Sequence, residues 1–162
     1  DIDRIKKYCD LPIIIKGIAT KEDAILAVDH GIEVIYVSNH GGRQLDFGLG
    51  GLKVLPEIVD AVGKDATIFF DGGVMRGTDV VKALCIGADI VGIGRLQGLA
   101  AAAGGSAAIY RMLELLELEI ITCLRLLGVN DISELNSKLL TKDESFGSLD
   151  VSSAFPLINE GY

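Results

Sequence analysis

The sequence is short of cysteine, of basic charge and of long apolar runs, and each shortage excludes a class of protein. Its 162 residues hold three cysteines, Cys9, Cys85 and Cys123. They are too few and too widely spaced for a disulfide framework or a metal-ligand pattern, so no metal site is expected and the compartment reads as reducing. Cys85 and Cys123 fall in apolar, helix-like stretches and read as core residues. Lys and Arg number 15 against 23 Asp and Glu, a net charge of −8. Binding nucleic acid needs a basic face, and none is visible, so nucleic acid is not an expected partner and neither is an anionic membrane. Apolar runs are cut by glycine and charge before they reach membrane-spanning length, and no segment has the layout of a signal peptide. The expected location is the cytoplasm. The chain opens on Asp1, in a helix-like stretch, and reads as truncated or processed. What remains is 49% apolar and 23% charged, the composition of a folded globular domain.

Short β-rich runs alternate with helical ones. The strand candidates are Pro12–Lys16, Val34–Ser38, Thr67–Asp71 and Ile90–Gly94. Each is nearly continuously apolar, the pattern of parallel strands buried on both faces. Amphipathic segments lie at residues 20–30, 52–63, 77–87 and 98–127. Thr20 with Asp23 is a helix-start signal, and Gly31 and Gly87 are placed to end helices. His30, at a helix end, reads as a capping residue. The order is βαβαβαβα, half of an eight-unit barrel. Polar and glycine-rich residues follow each strand: Lys16-Gly17, Ser38 to Arg43, Asp71-Gly72-Gly73 and Gly94-Arg95. Barrels and doubly wound sheets both place their sites at these strand ends. Sequential parallel strands would put Lys16, His40, Asp71 and Arg95 on one rim. A short capped helix is expected around Asn130–Leu135, in a segment at 128–140, and the polar stretch 141–162 reads as an extended or disordered tail.

The string Ser38-Asn39-His40-Gly41-Gly42-Arg43-Gln44-Leu45-Asp46 carries the most chemistry. A histidine at a strand mouth can accept a proton near neutral pH. Arg43 can clamp a carboxylate through two parallel hydrogen bonds. A base beside a carboxylate clamp suits oxidation of a hydroxy acid. The bland alternative is a loop in which His40 bonds backbone and Arg43 pairs with Asp46. Gly72 and Gly73 free backbone N–H groups to face an anion, the helix after Gly77 adds its positive end, and Arg95 adds a full charge.

This string resembles the active-site signature of the FMN-dependent α-hydroxy-acid oxidases and dehydrogenases. Leu11–Gly17 resembles that family's flavin-lysine strand, Asp71–Val80 its phosphate segment and Ile93-Gly94-Arg95 its second phosphate contact; the likeness runs to about residue 135. It implies an α/β fold, the C-terminal half of a (β/α)8 TIM barrel over residues 1–127, with FMN as cofactor. It implies that His40 is the base, also lying against the flavin, and that Arg43 binds the substrate carboxylate. Lys16 would sit by the flavin pyrimidine edge, favouring negative charge there, and Ser38 would hydrogen-bond the flavin. Asp71, Gly72 and Gly73 would hold the ribityl chain and phosphate, with Gly94 and Arg95 closing on the phosphate. Arg76 is counted with the cofactor-binding segment, its side chain expected to point away from the phosphate.

The sequence departs from the family pattern where Met75 replaces an arginine, at Phe47–Gly51, and at Leu96–Ala101. The implied activity is oxidation of a lactate- or glycolate-like 2-hydroxy carboxylate to a 2-oxo acid. Open edge strands make the barrel's N-terminal half, or further copies of the chain, the expected partner. Two other readings remain: a non-catalytic half-barrel that binds phosphate or FMN weakly or self-associates, and another FMN barrel such as an isomerase. The His-Gly-Gly-Arg string does not suit the latter.

Overall fold

The computed structural model describes residues 1–45 and 47–141. Asp46 and the stretch from residue 142, expected as a tail, lie outside them. Four strands, β1 (Ile14–Ile18), β2 (Val34–Val37), β3 (Thr67–Phe70) and β4 (Ile90–Val91), form one parallel sheet in the order β1-β2-β3-β4. Helices return the chain between them: α2 (Lys21–Asp29), α3 (Gly51–Val62) and α4 (Gly77–Ile86), after a short α1 (Ile2–Lys6). α5 (Arg95–Leu127) follows β4.

Local signals set the helix ends. Thr20 Oγ1 accepts the Asp23 N–H at 3.2 Å, starting α2. His30 caps its other end, its N–H donating to the Leu26 and Ala27 carbonyls at 3.2 and 3.1 Å, and Lys6 Nζ, donating to the His30 and Gly31 carbonyls at 2.9 and 2.6 Å, ties α1 to this corner. Gly87 ends α4 in the left-handed conformation, φ 119°. Asp131 and Glu134 form a capping box around the single turn Ile132–Glu134, a 3-10 turn where a short helix was expected.

The strand boundaries move in two places. β1 starts at Ile14 rather than Pro12, since proline has no N–H to give the ladder. It then runs on through a register shift at Gly17, whose φ is +104°. β4 has only two residues, paired with Phe69 and Phe70. Among the described residues one face of the sheet is covered. Burial alternates along β2 and β3: Ile35, Val37, Ile68 and Phe70 are buried, and Tyr36 and Phe69 between them are only half-buried. The first set packs with Ala24, Leu55, Ile58 and Ala83 of the helix layer in one core. No described element covers the other face, so the helices seal one side of an open, four-stranded arc.

The long helical segment α5 is interrupted at Gly104 and Gly105, which take non-helical conformations. Its second part crosses the start of α4 so closely that a Cβ at Gly77 would lie 2.6 Å from Glu119 Cβ and 2.7 Å from the Ile120 nitrogen. The Ile120 nitrogen and the Leu116 carbonyl oxygen, 2.8 Å from the same point, are backbone and cannot rotate away. Gly77→Ala is therefore expected to destabilise the fold by about 1–3 kcal/mol despite alanine's better helix propensity, read as a lower urea midpoint with an unchanged slope.

Candidate active site

The strand order brings the predicted residues to one rim. Lys16 and Tyr36 are register partners on adjacent strands, with Phe69 next in line. Side chains two residues further on share their face, which puts Ser38 above Tyr36 and Asp71 above Phe69. At that level Lys16 forms an ion pair with Asp71. Ser38 donates to the other Asp71 oxygen, and Lys16 Nζ lies 3.3 Å from Ser38 Oγ. Ser38 is 1% exposed, the one buried polar side chain among the described residues. Its hydroxyl also accepts the His40 N–H at 3.1 Å, so the same atom anchors the loop that follows.

That loop is a tight turn over His40–Gly42. Asn39 caps it, Oδ1 accepting the Gly41 N–H at 3.0 Å. His40 itself has φ +53°, an unusual conformation for a residue with a Cβ. Its ring lies against Gly17: a Cβ there would be 2.9 Å from His40 Cε1. On the far side of the turn, a Cβ at Gly41 would be 3.8 Å from Arg95 Cζ. Lys16-Gly17, the His40 ring, Gly41 and the Arg95 guanidinium thus stand next to one another along the rim. Arg43 is exposed at the end of the turn and makes no ion pair with a described residue.

Asp71 leads into Gly72 and Gly73, whose φ values of 115° and 77° need glycine. A Cβ at Gly42, Gly73 or Gly94 would meet nothing within 4 Å. These backbones border open space above the rim. Gly94 precedes α5 without a side-chain cap, so the first N–H groups of that helix remain available. Open glycine backbone, an uncapped helix start and the cations Lys16, Arg43 and Arg95 fit a flat, anionic cofactor and an anionic substrate.

Arg76 is turned elsewhere. Its Nη2 lies 2.7 Å, and its Nε 2.8 Å, from Glu119 Oε1, while Glu119 Oε2 accepts the Gly77 N–H at 2.7 Å. Hydrogen bonds from Arg76 and Gly77 hold the Glu119 carboxyl below its ordinary range. Three participants escaped sequence reasoning. Asn39 sat inside the recognised string without a role. Tyr36 had a signal, its period-two spacing from Ser38. Glu119 had none, lying 42 residues from its partner Gly77.

Burial pushes the Asp71 carboxyl up, but hydrogen bonds from Lys16 and Ser38 and the Lys16 charge outweigh it, so its pKa falls below the ordinary 3.8. A carboxyl depressed in the folded state adds stability that is complete above its unfolded pKa. That stability is lost as pH falls through the folded value. Flavin-free protein should therefore lose stability below about pH 4 more steeply than Asp71→Asn does, measured as urea midpoint against pH.

The FMN-dependent dehydrogenase profile matches residues 1–142. The chain belongs to the FMN-dependent dehydrogenase family. Its L-lactate dehydrogenase (cytochrome) relative from Wickerhamomyces anomalus is 46% identical over 145 residues, covering 86% of this chain and 25% of that protein. An L-lactate oxidase from Lentilactobacillus hilgardii is 45% identical over 141 residues, covering 86% and 38%. Mandelate oxidase, solved with 3,3-difluoro-2-hydroxy-3-phenylpropionic acid, superposes with a TM-score of 0.78 at 42% identity, over 82% of this chain and 40% of that one. The sequence thus spans about a quarter to two fifths of the relatives it matches. The fold is accordingly a partial (β/α)8 barrel, as the four βα units implied. FMN is the cofactor on which this family depends. No described helix is long and apolar enough to cross a membrane. No group of three described His, Cys, Asp or Glu residues is arranged to hold a metal.

Proposed function

We propose that this chain carries the C-terminal share of an FMN-dependent active site that oxidises a lactate- or glycolate-like 2-hydroxy carboxylate to its 2-oxo acid. The observation that carries the reading is that Lys16, Asp71, His40 and the Arg95 guanidinium lie next to one another on one rim. When bound, FMN supplies a two-electron acceptor. The chain's own residues do the rest. Arg43 binds the substrate carboxylate and fixes which face of the hydroxyl-bearing carbon is presented. His40 removes a proton from the substrate, and its fixed backbone limits where the imidazole can stand. Lys16 places positive charge beside the pyrimidine edge, and Ser38 hydrogen-bonds the flavin. Asp71, Gly72 and Gly73 hold the ribityl chain and phosphate, with Gly94, Arg95 and the start of α5 closing on the phosphate. Arg76, engaged by Glu119, serves the phosphate turn by holding its backbone rather than by touching the cofactor.

Residues 1–127 form the site-bearing half-barrel in this reading. The open edges of β1 and β4 take the N-terminal half of the barrel, or another copy of the chain in a homo-oligomer. The cysteine pattern favours the cytoplasm.

Colour tests the reading. The intact protein should purify yellow, and L-lactate or glycolate should bleach its flavin band in the absence of oxygen. A colourless protein that takes up no FMN, or a band that no 2-hydroxy acid bleaches, would overturn it. The 162-residue chain alone should turn over poorly, because His40 and Arg43 gain from orientation only in a closed site.

A further inference from the structure

We propose that Tyr36 is the positioning residue that seats Lys16 at the strand ends, and that Gly92 is bare to make room for it. The seat is a matter of geometry; its use rests on the reading of Lys16 as a flavin contact.

Tyr36 stands in the middle of the sheet, beside Lys16 on one strand and Phe69 on the other. Lys16 Nζ lies over its ring, 3.7 Å from the centroid, close enough for the negative face of the ring to attract an ammonium. Phe69 braces the ring by an edge-on contact, with centroids 5.6 Å apart and planes at 67°. The ring therefore has little freedom to tilt, and the ammonium above it has a fixed floor. An ion pair with Asp71 alone would leave the long lysine stem several rotamers that meet the same carboxylate. The ring selects among them.

Gly92 explains how the ring reaches this position. Its φ lies outside the left-handed region, so its backbone does not call for glycine. Space does. A Cβ at Gly92 would lie 2.3 Å from the Tyr36 hydroxyl, 3.4 Å from its Cζ and 3.3 Å from Asp71 Cβ. The hydroxyl is the far end of a rigid ring and cannot swing aside without carrying the ring from beneath Lys16. Burial, with the Asp71 carboxylate next, pushes the phenol pKa up, so Tyr36 stays neutral beside that charge.

The ring can be separated from the ion pair by following the lysine directly. In intact protein labelled at lysine Cε, the Lys16 ε-methylene proton resonance, assigned with Lys16→Arg, should be displaced upfield by the ring current. It should stay displaced in Tyr36→Phe, which keeps the ring, and lose the displacement in Tyr36→Leu. FMN affinity should fall several-fold in Tyr36→Leu and little in Tyr36→Phe. Gly92→Ala should lower Tm in the wild type and much less in the Tyr36→Phe background, where the obstructing hydroxyl is gone. A Lys16 resonance that is undisplaced in the wild type, or unaltered by Tyr36→Leu, would overturn the seat. Equal losses of Tm in the two backgrounds would overturn the role of Gly92. FMN titrations unmoved by both Tyr36→Leu and Lys16→Met would overturn the reading of Lys16 as a flavin contact, while the lysine resonance still decides the seat by itself.

Discussion

His40→Asn is expected to slow reduction of the bound flavin by a 2-hydroxy acid by about two to four orders of magnitude, the usual contribution of a positioned general base. Asparagine suits the test because His40 sits at φ +53°, and asparagine is among the few side chains that tolerate the left-handed region. It also keeps a polar group over Gly17 without offering a base. The anchor of the loop is the bond from the His40 N–H to Ser38 Oγ, which is made by backbone and survives the change. FMN affinity should therefore hold while the chemical step fails. Stopped-flow bleaching of the flavin band by L-lactate separates the two. A rate within a few-fold of wild type would remove His40 from the proton-transfer role.

The second large effect lies at Met75. The resemblance that identifies the phosphate segment also predicts an arginine there, and the exposed methionine brings no charge. Arg76 cannot stand in, because its guanidinium is held by Glu119 on α5. In the proposed site the phosphate would be left with backbone N–H groups and Arg95. A hydrogen bond to a charged group contributes about 1.5–3 kcal/mol, so Met75→Arg should tighten FMN binding roughly tenfold to a hundredfold. Arg95→Ala should weaken it more than Arg76→Ala does, and Arg76→Ala should instead lower Tm by loosening α5 from α4. Flavin titration by fluorescence quenching, on the intact protein, reads all three. If Arg76→Ala proves the most damaging to FMN affinity, Arg76 leaves Glu119 to meet the phosphate when the cofactor is present.

Much of this molecule is legible residue by residue because the signals are local. Apolar runs ending in glycine mark strands whose C-terminal ends carry function, and Thr20, Gly31 and Gly87 mark helix ends through bonds to near neighbours. The grouping of Lys16, His40, Asp71 and Arg95 follows as well, since sequential parallel strands align their C-terminal ends. The site string could be read in one piece because a single turn holds it, anchored by bonds that span only two residues.

What stayed out of reach depends on partners far along the chain. Tyr36 reads as an ordinary strand aromatic until the register sets it under Lys16, and Gly92 as an ordinary strand glycine until the Tyr36 hydroxyl is found in its space. Glu119 reads as one more charge on a long helix. The sequence alone determined which residues stand at the strand ends, since apolar patterning and turn chemistry act within a few residues. Only the tertiary structure decided what turns Arg76 aside, as expected, while Arg95 stays available to an anion. That outcome depends on where α5 crosses α4, and the crossing puts a carboxylate within hydrogen-bond reach of Arg76 and not of Arg95.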